Sequence, residues 1–445
     1  MAPRTFRNWN GSAFSTPSVI AEPANLDALI MVVRDHDRFP SPVRAAGSFH
    51  SLNACFATTG TQVLLHHFDD IRVDLGASTV TVGAAVTMVR LRDALRPYGM
   101  QTEVTPEIGN ATAGSVSCCG TKDASIRGGL AQVSSTVIAV KLVNAQGDVE
   151  EVSEDADLER MRVIRSSYGL LGIVFEVTFR IQPTVLLHTD YASFRLNPPP
   201  TRAQMFGGAD GMLGIALPYA NRMVVERRWI RDGQRVTPTA SGKRWIRDRL
   251  WEYGASRFAT LLPYDWYYPV LDRLLVLPLS VLNLLGGFEG MRSDSTIDFT
   301  HARRHYFDFT FCAVPMSAWE AFVPAYVRFC REFRRETGFR VTLLSEVYVM
   351  SRDEHSLLSP TAAEECFTMD VTDTRVDHPH WKEFNRRFNS LVADHGGRPL
   401  LNQTKELTGD IVRRMLGSDW DRFLAFREDE DPDGRFLNRY FRELM

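Results

Sequence analysis

His50 lies in the run Arg44-Ala-Ala-Gly47-Ser48-Phe49-His50-Ser51-Leu52-Asn53, where an apolar stretch gives way to a small-residue loop. Glycine lacks a Cβ and tolerates positive φ, so a Gly-Ser turn lets backbone N–H groups approach a pyrophosphate closely. A histidine there is placed to reach a cofactor ring and to bond to it. Taken alone, the decapeptide favours an ordinary polar loop with an incidental histidine. Two further stretches shift that balance. Gly109-Asn-Ala-Thr-Ala-Gly114-Ser115-Val-Ser117-Cys118-Cys119-Gly120-Thr121 runs into Lys122, and Arg165-Ser-Ser-Tyr-Gly169-Leu-Leu-Gly172-Ile173 leads into an alternating segment. Runs of small residues inside a domain mark backbone approaching something flat or phosphorylated.

The elements that must position these residues follow from periodicity. Short strands are predicted at 19–22, 43–46, 63–65, 71–75 and 79–83. A helix opens at Asn25 as N-cap, with Leu26, Leu29, Ile30 and Val33 on one face. Residues 89–98 read as a helix ending at Gly99, and 137–144 and 174–181 as strands. Asn197-Pro-Pro-Pro200 is a loop at a domain junction. Later strands are predicted at 214–217, 222–229, 305–314 and 341–350, and helices at 319–337, 381–394 and 410–416. A βαβ unit followed by a meander is α+β. No Gly-x-Gly-x-x-Gly follows the first strand, which argues against a doubly wound nucleotide fold. Residues i and i+2 of a strand share a face, so Glu346 and Tyr348 point the same way. Thr368, Asp370 and Thr372 likewise form the polar face of residues 367–372.

At 445 residues the chain exceeds the usual single core, so two domains are expected. With 24% charged residues, a net charge of −3 and no basic stripe, nothing argues for nucleic acid. Six cysteines without metal-ligand spacing give neither a disulfide framework nor a metal site. A reducing cytoplasm is the default expectation. The apolar segment 259–288 is too short and too interrupted, at Pro278, for a spanning helix. It reads as buried core or a pocket wall, or as a contact with a membrane surface.

In that order, these pieces resemble the vanillyl-alcohol oxidase or PCMH-type FAD-linked oxidases, and among them the sugar-1,4-lactone and alditol oxidases. The family loop Gly-Ser-Gly-His-Ser is similar to Gly47-Ser48-Phe49-His50-Ser51. The loop ending Gly-Thr-His-Gly is similar to Cys119-Gly120-Thr121-Lys122-Asp123, and Asp431-Pro-Asp-Gly-Arg-Phe-Leu-Asn438 resembles the closing motif. The resemblance implies a two-subdomain PCMH-type FAD-binding fold with a cap domain whose antiparallel sheet is flanked by helices. It implies an FAD-binding domain over 1–185, a substrate or cap domain over 186–395, and a segment 396–445 that returns to the first. FAD would be held by Gly47, Ser48, Phe49, His50, Ser51, Asn53, Gly114, Ser115, Ser117, Cys118, Cys119, Gly120, Thr121, Gly169, Gly172, Ile173 and Asn438. His50 matches the histidine that many members link covalently to the flavin 8α-methyl. No cysteine occupies Asn110-Ala111-Thr112, so a single link is expected.

The implied activity is oxidation of a CH–OH group on a sugar-like or cyclitol molecule, with hydride passing to flavin N5 and reoxidation by O2 or another acceptor. Glu346 matches a substrate-contacting Glu, whereas Tyr348 stands where the family has Arg. Gln403 takes the place of a family Lys, with Lys405 two residues on and able to enter the pocket from an extended strand. Leu400 and Leu401 replace His-Trp, and Lys122 replaces a His. These departures imply a larger or more apolar substrate than a free polyol. Two alternatives stand beside this reading. One is a membrane-associated dehydrogenase of a lipid-linked sugar or hydrophobic natural product, and the other is a flavin-binding protein without turnover.

Overall fold

The computed structural model describes residues 4–106, 108–121, 129–230, 288–293, 307–342 and 344–445. The Asn25 side chain accepts the N–H of Ala28 at 2.9 Å and starts the helix Leu26–Arg34. That helix buries Leu29, Val32 and Val33 beside a parallel three-stranded sheet, Val19–Ala21, Thr61–Val63 and Val43–Ala45. This is the expected βαβ unit. An antiparallel sheet follows, ordered Val149–Ser153, Val137–Val143, Ile173–Pro183, Thr79–Gly83, Ile71–Asp74, with Met100–Thr102 also on Ile173–Pro183. The predicted helix 89–98 is α-helical only over Met88–Leu95 and tightens to a 3₁₀ turn at Arg96–Tyr98. Pro97 has no N–H to continue the α-helical ladder.

Among the described residues, the second half is built on an antiparallel sheet of nine strands. Its path runs Phe288–Arg292, Leu186–Arg195, Arg222–Ile230, Gly211–Leu217, Ser345–Met350, Cys366–Thr368, Ala313–Pro315; Asp370–Asp373 joins Ser345–Met350 to Asp308–Thr310. Met212, Ala216, Met223, Val225, Val347, Val349 and Val371 face the helices Trp319–Thr337 and Pro379–Asp394 in one apolar core. Alternation then sends Glu226, Arg228, Glu346, Tyr348 and Asp370 to the other face. The predicted strand 305–314 is two strands, because the chain leaves Asp370–Asp373 and pairs next with Cys366–Thr368. The strand expected at 341–350 begins only at Ser345. The Asn197–Pro200 loop lies within the cap, between Leu186–Arg195 and the helix Arg202–Phe206, so it is not a domain junction.

The C-terminal helices Gly409–Leu416 and Ser418–Glu430 pack Val412, Leu416, Trp420 and Phe423 into the core that contains Val80, Val82 and Val177. Arg435, 1% exposed, donates to the carbonyls of Val32, Val33 and Phe39 at 2.7–2.9 Å. The chain end is thereby stitched to the first helix. Lys122 and the apolar segment, apart from Phe288, lie outside the described residues. Among the described residues no helix is long and apolar enough to cross a membrane.

Candidate active site

His50 sits between two sets of contacts. On one side Ser48 Oγ donates to Asn110 O, and His50 Nε2 meets Asn110 Oδ1. An amide oxygen only accepts, so Nε2 is the donor in this contact. Asn110 was not singled out as a partner of His50 in the sequence, because a lone Asn beside a glycine carries no distinguishing signal. On the other side Leu52 N donates to Asn402 O at 2.8 Å, and Asn53 Nδ2 donates to Leu401 O and Thr404 O at 2.9 and 2.6 Å.

Phe49 holds φ at +58°, the conformation the family's glycine would adopt freely. The cost to a non-glycine residue is roughly 1–2 kcal/mol. Phe49 stacks on Phe6 and meets Phe56 edge-on, both with centroids 5.3 Å apart. Such pairs contribute about 0.5–1.5 kcal/mol each beyond burial, enough to offset the strain. Alanine here keeps the strain and loses both rings. Phe49→Gly is therefore expected to lower the melting temperature less than Phe49→Ala; equal or reversed losses in thermal unfolding would contradict this account.

The cradle is tight. A Cβ on Gly47 would come within 2.2 Å of Thr112 Oγ1 and 2.3 Å of Ser115 Oγ, at the N-terminus of the short helix Ala113–Cys118. One on Gly114 would come within 2.8 Å of Ala84 Cβ, and one on Gly120 within 2.3 Å of Leu400 Cδ2. Ser117 Oγ donates to Gly114 O, and Thr121 O accepts from Val133 N. Asn402 Nδ2 donates to Gly120 O at 3.0 Å, while its buried Oδ1 finds no donor among the described residues. The His50 loop, the 118–121 loop and the 400–405 turn thus converge around a buried acceptor. Crowded small residues beside an unsatisfied acceptor fit a flat, polar heterocycle with a phosphate tail.

Several expected cofactor residues also have structural roles. Tyr168 and Gly169 both hold positive φ, and buried Arg44 donates to the carbonyls of Gly169, Phe436, Cys55 and Tyr168 at 2.5–3.1 Å. Gly172 is required by packing, since its Cβ would fall 2.8 Å from Val143 O. Ile173 is buried in the core of the βαβ unit. Asn438 caps the helix Arg439–Arg442 and donates to the carbonyls of Ala54, Cys55 and Ala57. Ser51 O accepts from Asn8 Nδ2. Cys118 and Cys119 are free thiols. A hydrogen bond from Cys119 lowers the Cys118 pKa against the effect of burial, while that bond and burial raise Cys119.

On the cap, Tyr348 Oη donates to Glu346 Oε2 at 3.0 Å, as their shared face requires. Tyr348, Met350 and Leu213 pack on Ala131 of the N-terminal half. In register, Glu346 is opposite Asp370, and Tyr348 opposite Leu213, which is opposite Glu226 and then Tyr191. Tyr191 Oη donates to Glu226 Oε2 at 2.8 Å and Arg228 Nε to Glu226 Oε1 at 3.0 Å. Glu226 and Arg228, on a strand predicted only in outline, were missed as polar members of this face. Thr368, Asp370 and Thr372 are all buried, opposite Phe367, Met369 and Val371 in the core.

The tail departs from expectation. Residues 400–405 form a turn, with Gln403 N and Thr404 N both donating to Leu400 O, so the strand rule does not join Gln403 to Lys405. Gln403 is 9% exposed, and its carbonyl accepts from Phe311 N. The Lys405 ammonium turns to Asp308 Oδ2 at 3.1 Å. Asp308 is opposite Asp373, three residues from Asp370, about 10 Å along the strand and on its other face. Lys405 therefore does not enter a pocket with Glu346, which corrects the sequence expectation. Leu400 and Leu401 are buried in cores, so their apolarity serves packing and says nothing about the substrate.

Asp353 supports the Ala131 contact. Its Oδ2 accepts the N–H of Ala131, and its Oδ1 that of His355, each at 3.0 Å. Burial alone would raise its pKa, but the hydrogen bonds from His355, Ser135 and Ala131 leave it below the usual aspartate value. A depressed folded pKa stabilises fully above the unfolded value, about 3.9, and the contribution is lost as pH falls through the folded one. Asp353→Asn is expected to lower the melting temperature at pH 6 and much less at pH 3. Equal losses at both pH values, measured by calorimetry, would refute this.

Comparison with known proteins bears on this geometry. A family model described as an FAD binding domain matches residues 17–153. Another, described as D-arabinono-1,4-lactone oxidase, matches residues 217–444, just over half the chain. Cradle and matches together define an FAD-dependent oxidoreductase with a PCMH-type fold. The chain belongs to the D-arabinono-1,4-lactone oxidase family. It is 25% identical to an L-gulono-1,4-lactone dehydrogenase of Mycobacterium tuberculosis over 98% of each chain. It is 22% identical to an L-gulonolactone oxidase of Bos taurus over 99% of this chain and 98% of the other. A cholesterol oxidase of Brevibacterium sterolicum superposes over 99% of this chain and 97% of its own, with 14% identity and a TM-score of 0.77. That likeness concerns the fold.

Proposed function

We propose that the protein oxidises a CH–OH group of a sugar-like or cyclitol substrate bound between the polar face of the cap sheet and the flavin cradle. One observation carries the reading: the Glu346/Tyr348 pair lies on the sheet face that packs on Ala131. When bound, FAD supplies the two-electron acceptor for the substrate's hydride. Glu346 accepts the substrate hydroxyl as a hydrogen bond and takes its proton as the C–H bond breaks. Tyr348 fixes the Glu346 carboxylate by donating to Oε2, and Asp370 opposite supplies a second acceptor for a neighbouring hydroxyl. Glu226, Arg228 and Tyr191 continue the polar face away from Glu346, which suits a molecule rich in hydroxyls.

His50 would hold the cofactor through a bond from Nδ1 to the 8α-carbon. Such a link would replace one C–H bond of the cofactor methyl and one imidazole N–H bond with a C–N bond, dioxygen taking the two hydrogens as hydrogen peroxide. The decisive experiment mixes the yellow protein anaerobically with 1,4-lactones, alditols and cyclitols. A compound of this class should bleach the flavin. Failure of the whole panel would sink the reading. Relatives bear both oxidase and dehydrogenase names, and the rate of reoxidation in air separates the two here.

A further inference from the structure

Five segments meet at a buried ion pair that the chemistry above does not use. Lys405 Nζ lies 3.1 Å from Asp308 Oδ2, 3.2 Å from Ser12 Oγ and 3.2 Å from the carbonyl oxygen of Leu52. An ammonium has three N–H donors, and these acceptors occupy them. Asp308 is fully buried; Oδ1 accepts from Asn10 Nδ2 at 2.9 Å and Oδ2 from Trp381 Nε1 at 3.0 Å. Buried charges persist only where geometry and hydrogen bonding are this complete, so the pair has one arrangement.

What it fixes is the leg of the His50 loop. Leu52 is two residues from His50, and both of its backbone polar groups are held, N–H on Asn402 O and carbonyl on Lys405. Through Asp308 the same contact reaches the cap strand Asp308–Thr310 and, through Trp381, the helix Pro379–Asp394. The flavin-binding half therefore does not complete the loop alone.

We propose that the Asp308/Lys405 pair is a positioning device that sets His50 at the flavin, so that docking of the cap controls attachment of the cofactor. The inference rests on the His50 linkage proposed above. Neither residue needs to touch substrate or flavin. Bond formation needs a near-attack geometry, and a shift of about 1 Å lowers such rates by about 10²-fold.

The test uses full-length wild type, Asp308→Asn, Lys405→Met, Lys405→Arg and the double variant Asp308→Leu/Lys405→Met. Apoprotein is reconstituted with FAD, total bound flavin is read by absorbance, and flavin retained after acid precipitation is followed over time. The wild type should retain nearly all its flavin. Asp308→Asn and Lys405→Met should bind FAD but attach it at least tenfold more slowly, and Lys405→Arg should recover most of the rate. The double variant leaves no unpaired buried charge, so it should fold and bind FAD yet still attach it slowly. FAD-binding variants that attach at the wild-type rate would overturn the proposal. If wild type itself releases all its flavin, the linkage reading fails instead. Positioning is then decided by the visible circular dichroism of the bound flavin: a change in the double variant supports it, and an unchanged spectrum overturns it.

Discussion

Glu346→Gln is expected to lower kcat by about 10²–10⁴-fold, the usual contribution of a positioned general base. Folding and flavin content should be nearly unchanged. Glutamine keeps the shape and accepts the Tyr348 hydroxyl through its amide oxygen, but it takes no proton at neutral pH. The loss should appear in the rate of anaerobic flavin reduction at saturating substrate, with KM moving far less. Tyr348→Phe should fall between the two proteins, because the carboxylate survives and loses only the donor on Oε2. A Glu346→Gln enzyme that reduces its flavin at the wild-type rate would remove the carboxylate from the chemistry.

The second large effect concerns the cofactor. His50→Ala should give protein that still binds FAD, since the crowding of Gly47, Gly114 and Gly120 does not involve the imidazole. Denaturation should release all of its flavin, whereas the wild type should yield a flavin-modified peptide containing His50 by mass spectrometry. Removing an electron-withdrawing attachment should also lower the flavin potential and slow substrate oxidation. Asn110→Ala keeps the nucleophile but removes the Nε2 contact, and should attach flavin slowly. Wild-type attachment in Asn110→Ala would show that the His50 Nε2 contact does not orient the reactive nitrogen.

Much of the fold was legible, for local reasons. Asn25 caps where a cap was expected, the helix Trp319–Thr337 has its predicted limits, and Glu346 and Tyr348 meet as strand alternation requires. The errors arose where tertiary contacts decide. Residues 400–405 carry no periodicity, and their turn is set by Asn53, Phe311 and Tyr168 from distant parts of the chain. An isolated Lys two residues from Gln403 gives no sign that its partner is a fully buried Asp308. Leu400 and Leu401, standing where the family has His-Trp, were read with the other departures as a sign of a more apolar substrate, yet each packs in a core. Phe49 showed its departure openly in the sequence, but its compensation by Phe6 and Phe56 exists only in the folded chain.

The hydrogen bond from Asn53 Nδ2 to Leu401 O spans 348 residues. At 5–20 residues per second of synthesis, roughly 20–70 s separate the emergence of these two partners from the ribosome. During that interval the nascent chain can form its first helix and small parallel sheet, but the leg of the histidine loop has nothing to close on. Arg44 waits longer for the carbonyl of Phe436, 392 residues on, and Val33 of the first helix longer again for Arg435, 402 residues on. The histidine loop therefore closes, and its surroundings become complete, only after these late segments have been made.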